Sequence, residues 1–433
     1  MQEAITKTRL ANGLLVLLKE IHSAPLISQW VWYRVGSRDE VPGITGISHW
    51  VEHMQFRGTS KFPRGVLDKL ISREGGVWNA FTYLDWTAYF ETLPADKVDL
   101  ALQLEADRMA NSLFDERDVE AERTVIISER QGAENEPLFL LAEGVNQAAF
   151  QFHPYRQDVI GSLEDLRKIQ CEDLFRHYRS YYQANNAVLT LAGDFNTDHM
   201  LTRLEEYYAP IPIGIQTPRQ FVEEPPQTSE QRVTVEGPGE TTYVQSCWHV
   251  PASTDPDLWP LTVLDSLLTG PSSPTFIGGG ISNKTSRLYQ ALVERELAVS
   301  LSGGISITID PFLYAVTIIV RPERKVDEVL VAMDEEIRRL QDSPPSEIAV
   351  ARAVKQARAL FSYGSESITN QAAWLGFAEM FATYDWFTEY LDKLETVTPQ
   401  DVQRVAQKYF QPSNRVLGIY KPTGNNLLTE SGW

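Results

Sequence analysis

Tyr181-Tyr182-Gln183-Ala184-Asn185-Asn186-Ala187-Val188-Leu189 returns as Tyr409-Phe410-Gln411-Pro412-Ser413-Asn414-Arg415-Val416-Leu417. The aromatic pair, the Gln, the second Asn and the closing Val-Leu keep their places at one offset, 414 − 186 = 228. The same offset joins the upstream words Leu163-Glu164-Asp165-Leu166 and Leu391-Asp392-Lys393-Leu394, 391 − 163 = 228. One offset held without a gap over such a stretch marks a duplication. Each copy is expected to carry a helix (Cys171 to Tyr182, and Pro399 to Phe410), then a short β-rich run and a Gly- or Pro-containing turn. Two halves of one fold follow.

The break falls in Ile211 to Gln231, where Pro212, Pro218, Pro225 and Pro226 lie among Gln, Glu, Thr and Ser. That composition suits an extended, solvated linker. The expected division is residues 1–210, a linker 211–231, and residues 232–433. Leu14 to Leu18 and Thr87 to Leu93 read as strands. Val98 to Asn111 and Val326 to Asp342 read as amphipathic helices. Strands and helices in irregular order favour an α+β fold with largely antiparallel sheets.

The first half holds His49-Trp50-Val51-Glu52-His53. On a helix, positions i and i+4 share a face, so both imidazoles can reach one metal ion. Two neutral imidazoles make a good zinc half-site, and Glu52 stands beside it free to act as a general base. This is the H-x-x-E-H arrangement, the inverse of the commoner H-E-x-x-H motif. The second half has no such motif and is expected to cover and shape the site. A catalytic zinc takes three protein ligands and keeps one position open. The helical segment Asp118 to Arg130, with Asp115 as its cap, offers Glu122 and Glu129, seven residues apart and on one face. Periodicity alone leaves either as the third ligand.

Several further words sit around the motif: Gly46-Ile47-Ser48-His49, Phe56-Arg57-Gly58-Thr59, Gly75-Gly76-Val77-Trp78-Asn79-Ala80 and His153-Pro154-Tyr155-Arg156. With them, the chain resembles the pitrilysin-type (inverzincin) zinc peptidases along almost its whole length, in the branch of mitochondrial processing peptidase and its bacterial relatives. The resemblance implies two homologous α+β halves closing around a substrate chamber. It implies one Zn2+ per chain held by His49, His53 and Glu129, the last at the family's spacing, 129 − 53 = 76 residues past His53. Glu122 then supports the site without ligating zinc, and Asn79 and Ala80 contact the substrate backbone. The strand Thr87 to Leu93, with Tyr89 and Phe90, is expected to accept a peptide as an added strand if it forms a sheet edge.

The chain departs from the family in one place. Many members carry an Arg and a Tyr in the second half that stabilise the transition state. The matching stretch is Ser286-Arg287-Leu288-Tyr289-Gln290-Ala291-Leu292-Val293-Glu294-Arg295-Glu296-Leu297-Ala298-Val299-Ser300. Val293 stands in the Arg place. One residue is then missing, and Val299 stands in the Tyr place. Neither can donate a side-chain hydrogen bond. A paralogous inactive chain is therefore expected to supply Arg and Tyr, with a homodimer as the alternative and Arg287, Tyr289 and Arg295 as nearby substitutes. Just upstream, Gly278-Gly279-Gly280-Ile281-Ser282-Asn283-Lys284-Thr285 misses the phosphate-loop pattern at Asn283 and reads as a flexible loop.

Composition narrows the rest. A chain of 433 residues exceeds one ordinary core. Its 58 acidic and 39 basic residues give a net charge of −19, which argues against nucleic acid and permits attraction of basic peptides. No apolar run is long enough to span a bilayer, and no export signal is visible at the N-terminus. A cytoplasmic protein is expected, or a periplasmic one whose signal peptide has been removed. The two cysteines, Cys171 and Cys247, form no disulfide framework or metal knuckle. The expected activity is that of a zinc metalloendopeptidase acting on peptides or unfolded segments. Two competing readings are a non-catalytic structural subunit of a larger complex and a metallohydrolase of another substrate.

Overall fold

The computed structural model describes residues 5–215, 217–273 and 281–424. The Gly278–Gly280 part of the glycine-rich stretch lies outside the described residues. Two sheets carry the fold. The first has the order β1-β2-β6-β3-β5-β4, from β1 (Ile5–Arg9), β2 (Leu15–Glu20), β3 (Leu26–Tyr33), β4 (Val77–Thr82), β5 (Thr87–Pro94) and β6 (Ala187–Gly193). The second has the order β7-β11-β8-β10-β9, from β7 (Gln231–Gly237), β8 (Tyr243–Val250), β9 (Ala298–Ile305), β10 (Phe312–Val320) and β11 (Arg415–Pro422). Apart from β1 the orders correspond strand for strand. The single parallel pair of each sheet falls in the same place, β2 on β6 and β7 on β11.

The helices up to the second sheet are α1 (Ile47–Gln55), α2 (Leu67–Arg73), α3 (Val98–Asn111), α4 (Glu116–Ala133), α5 (Pro137–Ala149), α6 (Leu163–Leu166), α7 (Cys171–Tyr181) and α8 (Thr197–Tyr208). Those after it begins are α9 (Leu258–Leu268), α10 (Val326–Asp342), α11 (Glu347–Gly364), α12 (Ile368–Phe381), α13 (Tyr384–Thr388), α14 (Tyr390–Glu395) and α15 (Pro399–Tyr409). The fold is α+β, as the sequence indicates. The expected helices over Val98–Asn111 and Val326–Asp342 form with those bounds.

The repeated word has a physical reason. Asn186 donates through Nδ2 to the carbonyl of Tyr181 (2.8 Å), ending α7, and to that of Arg34 (3.3 Å), just past β3. Asn414 does the same to Tyr409 (2.7 Å), ending α15, and to His249 (3.0 Å), in β8. In each half one amide ties a helix end to the neighbouring strand and fixes where the next strand begins.

The compact units depart from a simple division at 211–231. One comprises Met1–Arg130, Gln157–Val222 and Ser365–Phe387. The other comprises Gln131–Arg156, Glu223–Gly364 and Thr388–Trp433. The halves exchange a helix: α12 packs on β3 and β6, and α5 packs on β7, β8 and β11. Polar ties hold α12 in the first unit. Thr190 Oγ1 donates to the Ala372 carbonyl (2.7 Å), and Lys7 Nζ meets Glu379 (2.6 Å). At Gly376 a Cβ would stand 2.1 Å from the Trp32 ring nitrogen, so only glycine allows this approach.

The sequence leaves open whether the strand Thr87 to Leu93 is a sheet edge. It is not an edge. β5 lies between β3 and β4, because residues 83–86 turn the chain back and lay β4 along it. The free edge at this end of the sheet is β4, with β1 at the other end. Among the described residues no helix is long and apolar enough to cross a membrane.

Candidate metal centre

α1 buries Ile47, Trp50, Val51 and Met54 completely in the core of the first unit. That stripe leaves His49 and His53 together on a half-buried face, as the i, i+4 spacing requires. The helix starts at Gly46, whose left-handed φ of 87° lets the backbone pass Ile160; a Cβ there would lie 2.2 Å from that residue's carbonyl oxygen. Its first amides are satisfied by Glu40, which accepts from Gly46 N (2.7 Å) and Ser48 N (2.8 Å). Burial pushes the Glu40 carboxyl up, to about 8, against both bonds.

The Nε2 atoms of His49 and His53 stand 3.2 Å apart. Glu129 Oε2, from α4, lies 3.6 Å from His53 Nε2. One ligand atom from each of His49, His53 and Glu129 falls within 4.8 Å of the others. Glu122, two turns earlier on α4, sits on the other side of the same ring. Its Oε1 is 2.8 Å from His53 Nδ1, and its carboxylate also pairs with Arg57. An ionised carboxylate only accepts, so Nδ1 carries the proton and Nε2 presents a bare lone pair. Burial, and next the neighbouring His53, push His49 down to about 3, so its ring is neutral. His49 Nδ1 is buried with no hydrogen-bond partner.

This donor set fits a divalent cation. The two imidazole Nε2 atoms, 3.2 Å apart, stand close enough to share one cation, and a carboxylate oxygen adds charge compensation. Glu52 stands one residue before His53, buried, its Oε2 accepting from Thr82 Oγ1 at 2.6 Å. Burial pushes its pKa up, and the Thr82 bond opposes the rise.

The expected substrate contacts fare unevenly. Asn79 is exposed on the free edge, its Oδ1 accepting from the amide of Ala80, which is buried. Tyr89 is fully buried and cannot meet a peptide. Its hydroxyl accepts from Gln55 Nε2 (2.8 Å), and the Arg108 guanidinium sits 4.3 Å from its ring centre. Phe90 lies on the opposite face from Tyr89, stacked on Trp30 with ring centres 4.3 Å apart. Three contributors escaped the sequence reading: Glu40, Arg57 and Thr82. Arg57 lies within a quoted word, and Thr82 shares the Ala80 side of β4 by strand alternation. Nothing local linked Thr82 to Glu52.

In the second unit, Val293 ends a π-helical turn, Tyr289–Val293, and Val299 is exposed on β9, an edge strand. Arg287 is turned toward Glu336 at 3.6 Å.

Comparison with known proteins agrees with this architecture. Residues 15–162 match the family described as insulinase (peptidase family M16), and residues 168–357 match the peptidase M16 inactive domain. The chain is 27% identical to the zinc protease PqqE of Helicobacter pylori, over 95% of this chain and 92% of that one. It is 26% identical to a probable mitochondrial-processing peptidase subunit beta of Arabidopsis thaliana, over 96% of this chain and 78% of that one. A crystal structure of a protease from Helicobacter pylori superposes with a TM-score of 0.90 at 24% identity, covering 97% of this chain and all of the other. With both halves matched and the fold reproduced from end to end, the chain belongs to the peptidase M16 family.

Proposed function

We propose that this chain is a zinc-dependent endopeptidase acting on peptides or unfolded segments, and the metal-bearing subunit of a two-chain enzyme. The observation that carries the reading is the grouping of His49, His53 and Glu129 beside a buried Glu52. A zinc ion held by those three side chains supplies Lewis acidity toward a carbonyl and toward water. Glu122 keeps His53 Nδ1 protonated, so Nε2 remains a donor to the metal.

Glu52 is the general base. Its carboxylate takes the proton of the attacking water and returns it to the departing amine, so one peptide bond and one water become a carboxyl and an amino group. A pKa raised by burial suits a group that must both accept and release a proton near neutral pH. Thr82 holds one of its oxygens and leaves the other free. Thr82 also ends β4. An extended peptide added along that free edge would therefore run past Glu52, its backbone paired to Val77–Thr82.

The second unit offers no donor at Val293 or Val299 for a developing oxyanion, which supports a second chain that brings the missing Arg and Tyr. The testing experiment is metal analysis. Purified protein should hold about one zinc per chain, and His53→Ala should lose it, because two remaining ligands make a weak site. Full retention in that variant would show the ligand set to be wrong. Absence of stoichiometric zinc from the native protein would favour a structural subunit.

A further inference from the structure

The segment between the two halves is extended and solvated along most of its length, with Ile213, Ile215 and Phe221 exposed. Arg219 departs from that pattern and turns into the first unit, half-buried. Its Nε lies 3.2 Å from Asp39 Oδ1, and its Nη2 donates to Asp39 Oδ2 at 3.3 Å. The same Nη2 donates to the Asp85 carbonyl. The Asp39 side chain is only 2% exposed, and Arg38 approaches it no closer than 3.7 Å. Burial pushes this carboxyl up, and the Arg219 charge is the foremost influence against the rise.

The two acceptors belong to separate pieces of the metal centre's support. Asp39 ends the short turn Ser37–Asp39, and its Oδ2 accepts from Gly36 N at 3.1 Å. The next residue, Glu40, accepts from the first amides of α1, and the Gly36 carbonyl accepts from Ser48 Oγ at 3.2 Å. Asp85 lies in the turn from β4 to β5, three residues past Thr82, the partner of Glu52. Loop and turn lie against each other. Ser37 N donates to the Tyr83 carbonyl (3.2 Å) and Arg38 N to that of Leu84 (2.8 Å). A Cβ on Gly36 would stand 2.3 Å from the Tyr83 carbonyl oxygen. A planar guanidinium can fork onto a carboxylate and still reach a third acceptor, so one side chain closes this seam.

We infer that Arg219 is a positioning residue of the metal centre: from the linker it locks the 36–40 loop to the 83–86 turn, and so fixes the start of α1 and the end of β4. The inference rests on the reading of His49, His53 and Glu129 as zinc ligands. Losing an outer partner of a metal site typically costs roughly 10- to 100-fold in metal affinity or activity. The full chain is loaded with zinc and mixed with a chromophoric chelator. Arg219→Ala should release zinc at least tenfold faster than wild type. In metal-free protein its amide exchange should quicken at residues 36–48 and 82–86 and nowhere else in the first unit. The double variant Asp39→Asn, Arg219→Ala leaves no stranded carboxylate, keeps the test readable if the single variant folds badly, and should release zinc as fast. Gln227→Ala removes a linker anchor onto the Ser413 and Arg415 carbonyls of the second unit and should change neither readout. A wild-type chain without zinc would fail the metal reading, while the exchange measurement would still decide the inference. Wild-type zinc release in either Arg219 variant overturns it, as does exchange that quickens evenly over the first unit or an equal effect from Gln227→Ala.

Discussion

α1 and α9 follow corresponding strands, β3 and β8, in two sheets of the same order. Each sheet is pinned by the same asparagine word. Yet the two helices are built for different ends. α1 buries one stripe and turns His49 and His53 outward. α9, Leu-Trp-Pro-Leu-Thr-Val-Leu-Asp-Ser-Leu-Leu, is buried almost all round. Its one acid, Asp265, points inward and accepts from Thr269 Oγ1 (2.6 Å), Ser272 Oγ (2.6 Å) and Tyr314 Oη (3.0 Å). The scaffold is set by strand pairing and helix ends, which both halves share. The candidate metal ligands His49 and His53 share one face of one helix, and the corresponding helix of the second half is filled with apolar side chains. Duplication preserved what folds and freed what reacts.

The largest expected effect removes that contrast. Glu52→Gln leaves the first half with its ligands but without a base. Turnover should fall roughly 10²- to 10⁴-fold while zinc content is kept, since an amide cannot take the proton. Activity within about threefold of wild type, far short of that range, would take Glu52 out of the mechanism. Next comes the second half, where Val293 and Val299 offer no side-chain donor. Adding a paralogous chain that carries the family's Arg and Tyr should raise peptide turnover by roughly 10²- to 10³-fold, the usual worth of a preorganised oxyanion donor. Robust hydrolysis by the isolated chain, unchanged by any partner, would point to a self-sufficient homodimer. Smaller still is the effect on the shared scaffold. Asn186→Ala and Asn414→Ala should each cost about 1–3 kcal/mol in urea unfolding, because each strands two backbone carbonyls in the same geometry. A cost in only one of them would show that the repeated word does different work in the two halves.

Much of this was legible in the sequence because it is local. A constant offset exposes the duplication. The i, i+4 histidines and the amphipathic stretches of α3 and α10 read directly from periodicity. The choice between Glu122 and Glu129 did not. They share a helix face, and only the resemblance separated them; the structure puts one on Nδ1 and the other near Nε2 of a single ring. What stayed hidden depends on partners distant in sequence. The alternation in Thr87–Pro94 marks a strand but not its neighbours, so it leaves open whether β5 or β4 forms the edge. Tyr89 looks like an exposed aromatic until Gln55 and Arg108 close over it. α12 is buried on nearly every side, and such a helix carries no stripe to say which sheet it will cover.

The smallest effect tests how each half anchors its key helix. At the start of α1 the acceptor is Glu40, which accepts from the backbone amides of Gly46 and Ser48. At the start of α9 it is Asp257, which meets Arg404 (2.7 Å) and Lys408 (2.7 Å) from α15 and accepts from Tyr409 Oη (2.7 Å). Burial alone would raise the Asp257 pKa. The bonds from Lys408, Tyr409 and Arg404 outweigh it and hold the group at about 2, below its ordinary value of 3.8. A depressed carboxylate stabilises the fold fully above its unfolded pKa, and that contribution fades as pH falls through the folded one. The window is therefore pH 4 down to pH 2. Arg404 and Lys408 are half exposed, so the effect is modest. In metal-free protein, Asp257→Asn should lower the urea midpoint at neutral pH, and its gap to wild type should close on acidification across that window. A gap that stays constant to pH 2 would mean that Asp257 anchors α9 by shape and neutral hydrogen bonds, as an asparagine would, and that its charge adds nothing.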